Sequence, residues 1–238
     1  MIVRADLHVH TPASDGRSEL SELIRAAKEQ GLAALAICDH NLCTPLPQSD
    51  FMLIPATEIS TDIGHILGLF VKNMDINRLR ENGLPSGRAV VDAIHAHGGI
   101  AVLAHPFEWE SAREEQFEGI DFDLIETANS RAPMKRKDAN DRAKTYAQTR
   151  RLPETGGSDA HGVDELGGSY TEIECEDLSE LELALRAGRT RAVFVRRCRW
   201  VQKGKTRLIL ATKDPNWKKL LKAAVYFLYT LLREVFGL

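Results

Sequence analysis

Eight histidines are spread along 238 residues, and their neighbours suit most of them to bind divalent cations. His8 and His10 stand in "DLHVHTPASDG", with Asp15 five residues after His10. His40 follows "ALAIC", His65 opens "HILGLF", and His105 follows "IAVLA". Asp159 and His161 are again two apart in "GGSDAH", and Glu58 closes the run "FMLIPATE". Residues i and i+2 of a strand share a face, so His8 and His10 can point to one place, as can Asp159 and His161. Imidazoles and carboxylates at such spacing suit zinc, manganese or iron. A lone strand histidine is more often a hydrogen-bonded structural residue. The weight lies in the set. His95 and His97 stand two apart in a helical pattern, face different directions, and read as ordinary surface residues.

These side chains need elements to carry them. "MIVRAD", "LAALAIC", "FMLIPATEIS", "HILGLFV", "IAVLAHP", "DLIETAN" and "AVFV" read as strands, and "PETGGSDAH" as a strand end and turn. "SELSELIRAAKEQG" reads as a helix capped by Ser18 and stopped at Gly31, with an apolar stripe of Leu20, Leu23, Ile24 and Ala27. "SGRAVVDAIHAHGG" and "SELELALRAG" are helices with glycine stops, and "PMKRKDANDRAKTYAQTR" is one helix opened by Pro133. Strand and helix alternate, which favours parallel β/α units in a closed barrel or an open wound sheet. In a parallel barrel the C-terminal strand ends converge on one face, where reactive residues collect.

The composition is that of a globular protein, 43% hydrophobic and 27% charged. Arg4, Asp6 and His8 interrupt the first apolar stretch, so no secretory pattern is read there. The apolar stretch Ala223–Leu232 is too short to span a bilayer. The four cysteines form no C-x-x-C pair, which fits reduced thiols and a cytoplasmic setting. The formal charge of −3 hides an asymmetry: residues 186–238 carry a net +12 and residues 1–185 a net −15.

Taken together, "DLHVHTPASDG", "AICDHN", "ATEIS…GHILGLF", "LAHP", "IETAN" and "GGSDAHGVDELG" resemble the polymerase and histidinol phosphatase (PHP) metal-dependent phosphoesterases, over about residues 1–195. The resemblance implies an α/β fold, a distorted (β/α)7 TIM-like barrel, here with a basic C-terminal extension at 196–238 that ends in an amphipathic helix. It implies three divalent metal ions (Zn, Mn or Fe). His8, His10, Glu58 and Asp159 would hold the first. Glu58 would bridge to a second, also bound by His65 and His105, and Asp15, His40 and His161 would hold the third. Some family members carry histidine where this chain has Asp15. A metal-activated hydroxide, held by Glu58 and Asp159 with His161, would then attack the phosphoester.

Around these, Asp39 is read as a residue that orients an imidazole or caps a strand end. Glu126 and Asn129 match a family position, and Asn129 and Arg131 are the expected substrate contacts. Lys135–Lys137 read as a solvated helix face. The expected substrate is a small phosphate ester or a nucleotide or oligonucleotide end. The rival reading is a non-catalytic metal-binding module supporting a partner, membrane or nucleic acid. In the tail, Trp217–Phe236 has helical periodicity and is expected to pack on the barrel or on a second subunit, with an anionic membrane surface as the alternative. "RRCRWVQKGKTR" is read as a nucleic-acid-following segment or an exposed hairpin.

Overall fold

The computed structural model describes residues 1–81, 83–213 and 216–236. Its nine strands form one sheet: β1 (Ile2–Val9), β2 (Ala34–Ile37), β3 (Met52–Thr61), β4 (Gly64–Leu69), β5 (Ile100–Ala104), β6 (Leu124–Asn129), β7 (Glu154–Gly157), β8 (Ser169–Glu174) and β9 (Thr190–Phe194). Their order is β7-β6-β5-β4-β3-β2-β1-β8-β9. A bridge between Val9 and Ala160 brings the end of β1 back to the chain leaving β7, so seven strands nearly close a TIM-like barrel, and β8 and β9 extend it. Gly157 makes that approach possible. A Cβ there would collide with the Cβ of His8, so any larger residue would push β7 off β1.

The helices are α1 (Leu20–Glu29), α2 (Ile76–Leu79), α3 (Gly87–Ala96), α4 (Ala132–Lys135), α5 (Ala139–Arg150), α6 (Leu181–Arg186), α7 (Trp200–Thr212) and α8 (Trp217–Phe236). The barrel interior is filled by Val3, Ala5 and Leu7 of β1 with Ala34, Ile54, Leu67 and Val102, and α6 plugs its base with Leu181, Ala184 and Leu185. Outside, α3 and α5 cover β4–β6, and α1 covers β1 and β2.

Several expectations are corrected. The units are not all parallel: β4 runs antiparallel to β3 and β5, and β8 to β1 and β9. Only Asp62 and Ile63 separate β3 from β4, and a link that short can only make a hairpin. β8 is a strand that the apolar pattern did not signal. Helix α1 is capped by Glu19, which shares a capping box with Glu22, while the Ser18 hydroxyl accepts from Val163 N–H. The helix expected from Pro133 onward breaks into α4 and α5, with Arg136 turned onto Asp138 at the break.

The tail differs most. "RRCRWVQKGKTR" is no hairpin of strands: residues 196–199 are irregular and the rest opens α7. Helix α8 has the expected bounds, yet it packs on α7 rather than burying its apolar stripe. Gly204 lets the helices close: a Cβ there would strike Thr230, and Phe227 lies alongside. The face away from α7 carries Trp217, Leu221, Val225, Leu228 and Leu232, all exposed. Positions 214–215 and 237–238 of the extension lie outside the described residues. No helix among the described residues is long and apolar enough to cross a membrane.

Candidate metal centre

His8 and His10 come from the end of β1. The register of β1 against β2 shifts between Asp6 and Val9, and such an irregularity re-aims side chains. Leu7 can thus fill the interior while His8 and His10 face Glu58, which lines the pocket above it. Asp6 holds the turn of backbone below them, accepting from Ser158 N–H at 2.8 Å and Gly167 N–H at 3.1 Å. Asp159 (φ 55°) and His105 (φ 26°) sit in the left-handed region that non-glycine residues avoid. Strain of that kind collects where side chains must be aimed.

The nine expected ligands converge. Glu58, 1% exposed, is the hub. Its Oε1 lies 2.7 Å from His65 Nδ1 and 3.0 Å from His105 Nε2. Its Oε2 lies 3.0 Å from His40 Nδ1, 3.4 Å from His10 Nε2 and 3.5 Å from His8 Nε2. Asp159 Oδ1 stands 3.4 Å from His10 Nε2 and 3.9 Å from His8 Nε2. Asp15 Oδ2 stands 3.0 Å from His161 Nε2 and 3.7 Å from His40 Nε2. Four sets have ligand atoms all within 4.8 Å of one another: His10, Asp15, His40 and His161; His8, Glu58 and His105; His8, His10 and Asp159; and His65, His105 and Glu108. His10 therefore stands between two of the expected groups rather than in one.

The donor set fits divalent cations. His8 Nε2, both ring nitrogens of His10, Asp15 Oδ1 and Glu58 Oε2 are buried with no hydrogen-bond partner among the described residues. Leaving such atoms unpaired costs about 1–3 kcal/mol each, unless a cation takes them. The charges interlock. Burial alone would raise the Glu58 carboxyl pKa, but His65 and His8 beside it hold it well below the usual range. Burial alone would lower His105 and His40, but carboxylates outweigh it and raise both to about 9: Glu108 and Glu58 at His105, Glu58 and Asp15 at His40. His10 goes the other way, because burial and the facing His161 disfavour its proton.

A second layer fixes the ligands. Glu126 Oε1 is 3.0 Å from His8 Nδ1, while its Oε2 accepts from His105 N–H and from Asn129 Nδ2, both at 3.0 Å. Asp39 has no hydrogen bond or ion pair to an imidazole among the described residues. It accepts from Thr11 N–H and from the Thr11, Ser14 and Thr44 hydroxyls, and so pins the loop that carries Asp15. Asn129 has both ends of its amide engaged: Oδ1 accepts from Arg131 and Ala132 N–H, each at 2.8 Å. Arg131 lines the pocket, but its guanidinium forks onto Glu165 Oε2 at 2.8 and 2.6 Å. His95 bonds Asp123 at 2.8 Å, and His97 lies exposed on its helix, both away from the pocket.

Sequence reasoning missed three residues. Glu108 lies beside His105, 3.6 Å from its Nδ1, and an acid three residues after a candidate ligand was the available signal. Glu165 left no local signal. Lys203 was read only as one charge of a basic run, yet it lines the same pocket.

The model of the PHP domain family matches residues 6–116, and the PHP-associated family model matches 137–190. The chain is 30% identical over 147 residues to an uncharacterized protein of Methanocaldococcus jannaschii, MJ1587, covering 54% of this chain and 82% of that one. It is 36% identical over 80 residues to a 5'-3' exoribonuclease of Haemophilus influenzae, a match spanning 29% of each chain. Among solved structures it is similar to a two-domain protein of Bacteroides vulgatus containing a predicted PHP-like metal-dependent phosphoesterase. The TM-score there is 0.61 at 20% identity, covering 82% of this chain and 65% of that one.

Proposed function

The chain belongs to the PHP family, and we propose that it is a metal-dependent phosphoester hydrolase acting on a small phosphate ester or on a nucleotide or oligonucleotide end. The observation that carries this reading is Glu58, one buried carboxylate whose two oxygens face separate groups of imidazoles. A carboxylate so placed suits a bridge between cations. Three bound ions (Zn, Mn or Fe) would neutralise phosphoryl oxygens and lower the pKa of water, so that a nucleophile forms near neutral pH. His8, His10, Glu58 and Asp159 would hold one ion; Glu58 would also reach a second, with His65 and His105; Asp15, His40 and His161 would hold a third.

The chain's own residues do the rest. Glu126 on His8 Nδ1 leaves Nε2 directed at Glu58 and Asp159. His161 Nδ1–H donates to the Asp159 carbonyl oxygen at 2.9 Å, which leaves Nε2 for ligation. Glu58, Asp159 and His161 are the groups that would hold the attacking water, and Asn129 is a positioning residue for Glu126. With Glu165 on Arg131, a substrate phosphate would share that guanidinium rather than own it. Residues 1–195 would form the phosphoesterase unit, and 196–238 a basic extension.

The test is hydrolysis by metal-reconstituted protein of a phosphomonoester, a phosphodiester and a nucleotide panel. Turnover lost with chelator and restored by metal supports the reading. A fully metal-loaded protein that cleaves nothing across the panel would favour the rival, a non-catalytic module. One observation speaks for that rival: the exposed stripe of α8, flanked by Lys218 and Lys222, suits a second copy of the chain or an anionic membrane surface.

A further inference from the structure

The pocket at the strand ends encloses about 180 Å³, room for a phosphoryl group but not for a bulky alcohol attached to it. Beside it lies a cleft of about 960 Å³, walled by α4 and α5 on one side and by β9 and the α7–α8 hairpin on the other. Met134 and Lys135 line both spaces, so the two meet at α4. Whatever hangs from a phosphoryl group in the pocket has this cleft to enter.

The cleft's chemistry narrows what that is. Lys137, Lys144 and Arg197 are exposed in its walls, and no described carboxylate lies within ion-pair distance of them. Two of its carboxylates are already engaged: Glu154 with the Thr127 hydroxyl and Glu234 with Arg199, both at 2.7 Å. Asp141 is the remaining acid in the wall. Exposed cations at intervals along a groove match an anion of repeated charge. The exposed ring of Phe194 lines the same cleft and offers a π face of the kind on which bases stack, while Trp200 of α7 already carries the Arg233 guanidinium 3.9 Å over its ring, a cation held inside the groove. At the junction, Lys203 from α7 reaches the pocket with no ion-pair partner among the described residues. Its neighbours are already paired, Lys135 with Glu108 at 2.7 Å and Arg131 with Glu165 at 2.6 Å, so among the described residues Lys203 is the cation at the junction left for an incoming phosphate.

We propose that the cleft between α4–α5 and the C-terminal hairpin seats a single-stranded oligonucleotide, whose terminal phosphoester passes Lys135 and Lys203 into the metal pocket. This rests on the phosphoesterase reading above and adds to it the seat for the rest of the substrate. Arg197, Trp200 and Lys203 lie beyond both matched family segments, which end at residues 116 and 190, so the seat is built partly by the extension. A single strand fits better than a duplex, because a pocket of about 180 Å³ cannot admit a paired end. Binding through phosphates and π faces is tolerant of sequence and steep in salt.

The experiment uses the full-length, metal-loaded protein and a fluorescein-labelled single-stranded oligonucleotide of about eight nucleotides. Anisotropy gives its affinity at low and at physiological salt, and hydrolysis of the same strand is compared with that of p-nitrophenyl phosphate. The triple variant K137E/K144E/R197E should bind the strand at least about tenfold more weakly, with a shallower salt dependence. Its KM for the strand should rise by a similar factor, and the ratio of strand to p-nitrophenyl phosphate kcat/KM should fall with it. Lys72→Glu, in the loop beyond the opposite end of β4 from His65, should match the wild type. If the triple variant does not fold, Lys144→Glu alone should still cost about threefold in affinity. Unchanged strand affinity and KM in the folded variant would overturn the proposal, as would wild type that does not bind the strand at low salt. If the wild type cleaves no phosphoester at all, hydrolysis falls, while the anisotropy contrast still decides the cleft.

Discussion

The strand-end cluster and the C-terminal hairpin are built on opposite rules. In the cluster, His8, His10 and Glu58 are all but sealed from solvent, and every ligand faces another ligand or a residue that holds it. In the hairpin, charges lie outside, small residues make the contact, and a row of large apolar side chains remains exposed. The first region is over-determined: moving one side chain strands several buried charges. The second is held by one interface and a few ion pairs, such as Arg199 with Glu234 and Lys205 with Asp164 at 3.6 Å. Exposed pairs of this kind contribute little. Substitutions should therefore hurt function in the cluster and stability in the hairpin's inner face, and almost nothing on its outer face.

The largest expected effect is at the ligands. His10→Ala or Asp159→Ala should abolish metal content, measured by elemental analysis, and nearly all hydrolysis. The barrel should stay folded by circular dichroism, because its interior core is separate from the pocket. His95→Ala should change little. Turnover lost in His95→Ala but kept in Asp159→Ala would break the contrast at its root.

One layer out, Glu126→Gln should lower metal affinity or activity by about 10–100-fold, since it orients His8 and the backbone of His105. Competition with a metal indicator measures it. No change would mean that the cluster is held by its ligands alone.

The hairpin supplies the next test. Gly204→Val should destabilise the protein by about 1–3 kcal/mol, because the added side chain meets Thr230 and Phe227. Leu228→Ser, on the exposed face, should stay within about 0.5 kcal/mol. Denaturant melts of the two compare the inner face with the outer directly. Equal losses would show that the outer face is covered in solution.

The smallest effect concerns protons. His40 and His105 are raised to about 9 in the metal-free protein, so below that pH they carry protons that an arriving cation must displace. Metal affinity should fall as pH falls through neutrality, and uptake at neutral pH should release protons. Calorimetry in two buffers of different ionisation enthalpy counts them. Uptake without proton release would show that the charges do not interlock as described.

Much of the cluster was legible because its signals are local. His8 and His10, and Asp159 and His161, declare a shared face through the two-residue period of a strand, and each stands where an apolar run ends. The β3–β4 hairpin was missed, because alternation of elements argued for parallel pairing, although the link of two residues is too short for a crossover. The break between α4 and α5 was missed too, because helical composition continues across Arg136–Asp138 and only the side-chain bond at the turn interrupts it.

By itself, the sequence determined the nine residues that could ligate metal, most of the runs that became strands or helices though not β8, α7 or the break between α4 and α5, and that residues 217–236 form one amphipathic helix. These follow from spacing and from the chain's own periodicity. The tertiary structure alone decided that Asp39 pins a loop, that Arg131 is shared with Glu165, that Glu108 and Lys203 reach the pocket, and that α8 lays its small residues on α7. Those outcomes depend on contacts between residues far apart in the chain, and a contact of that kind leaves no period in the sequence on either side.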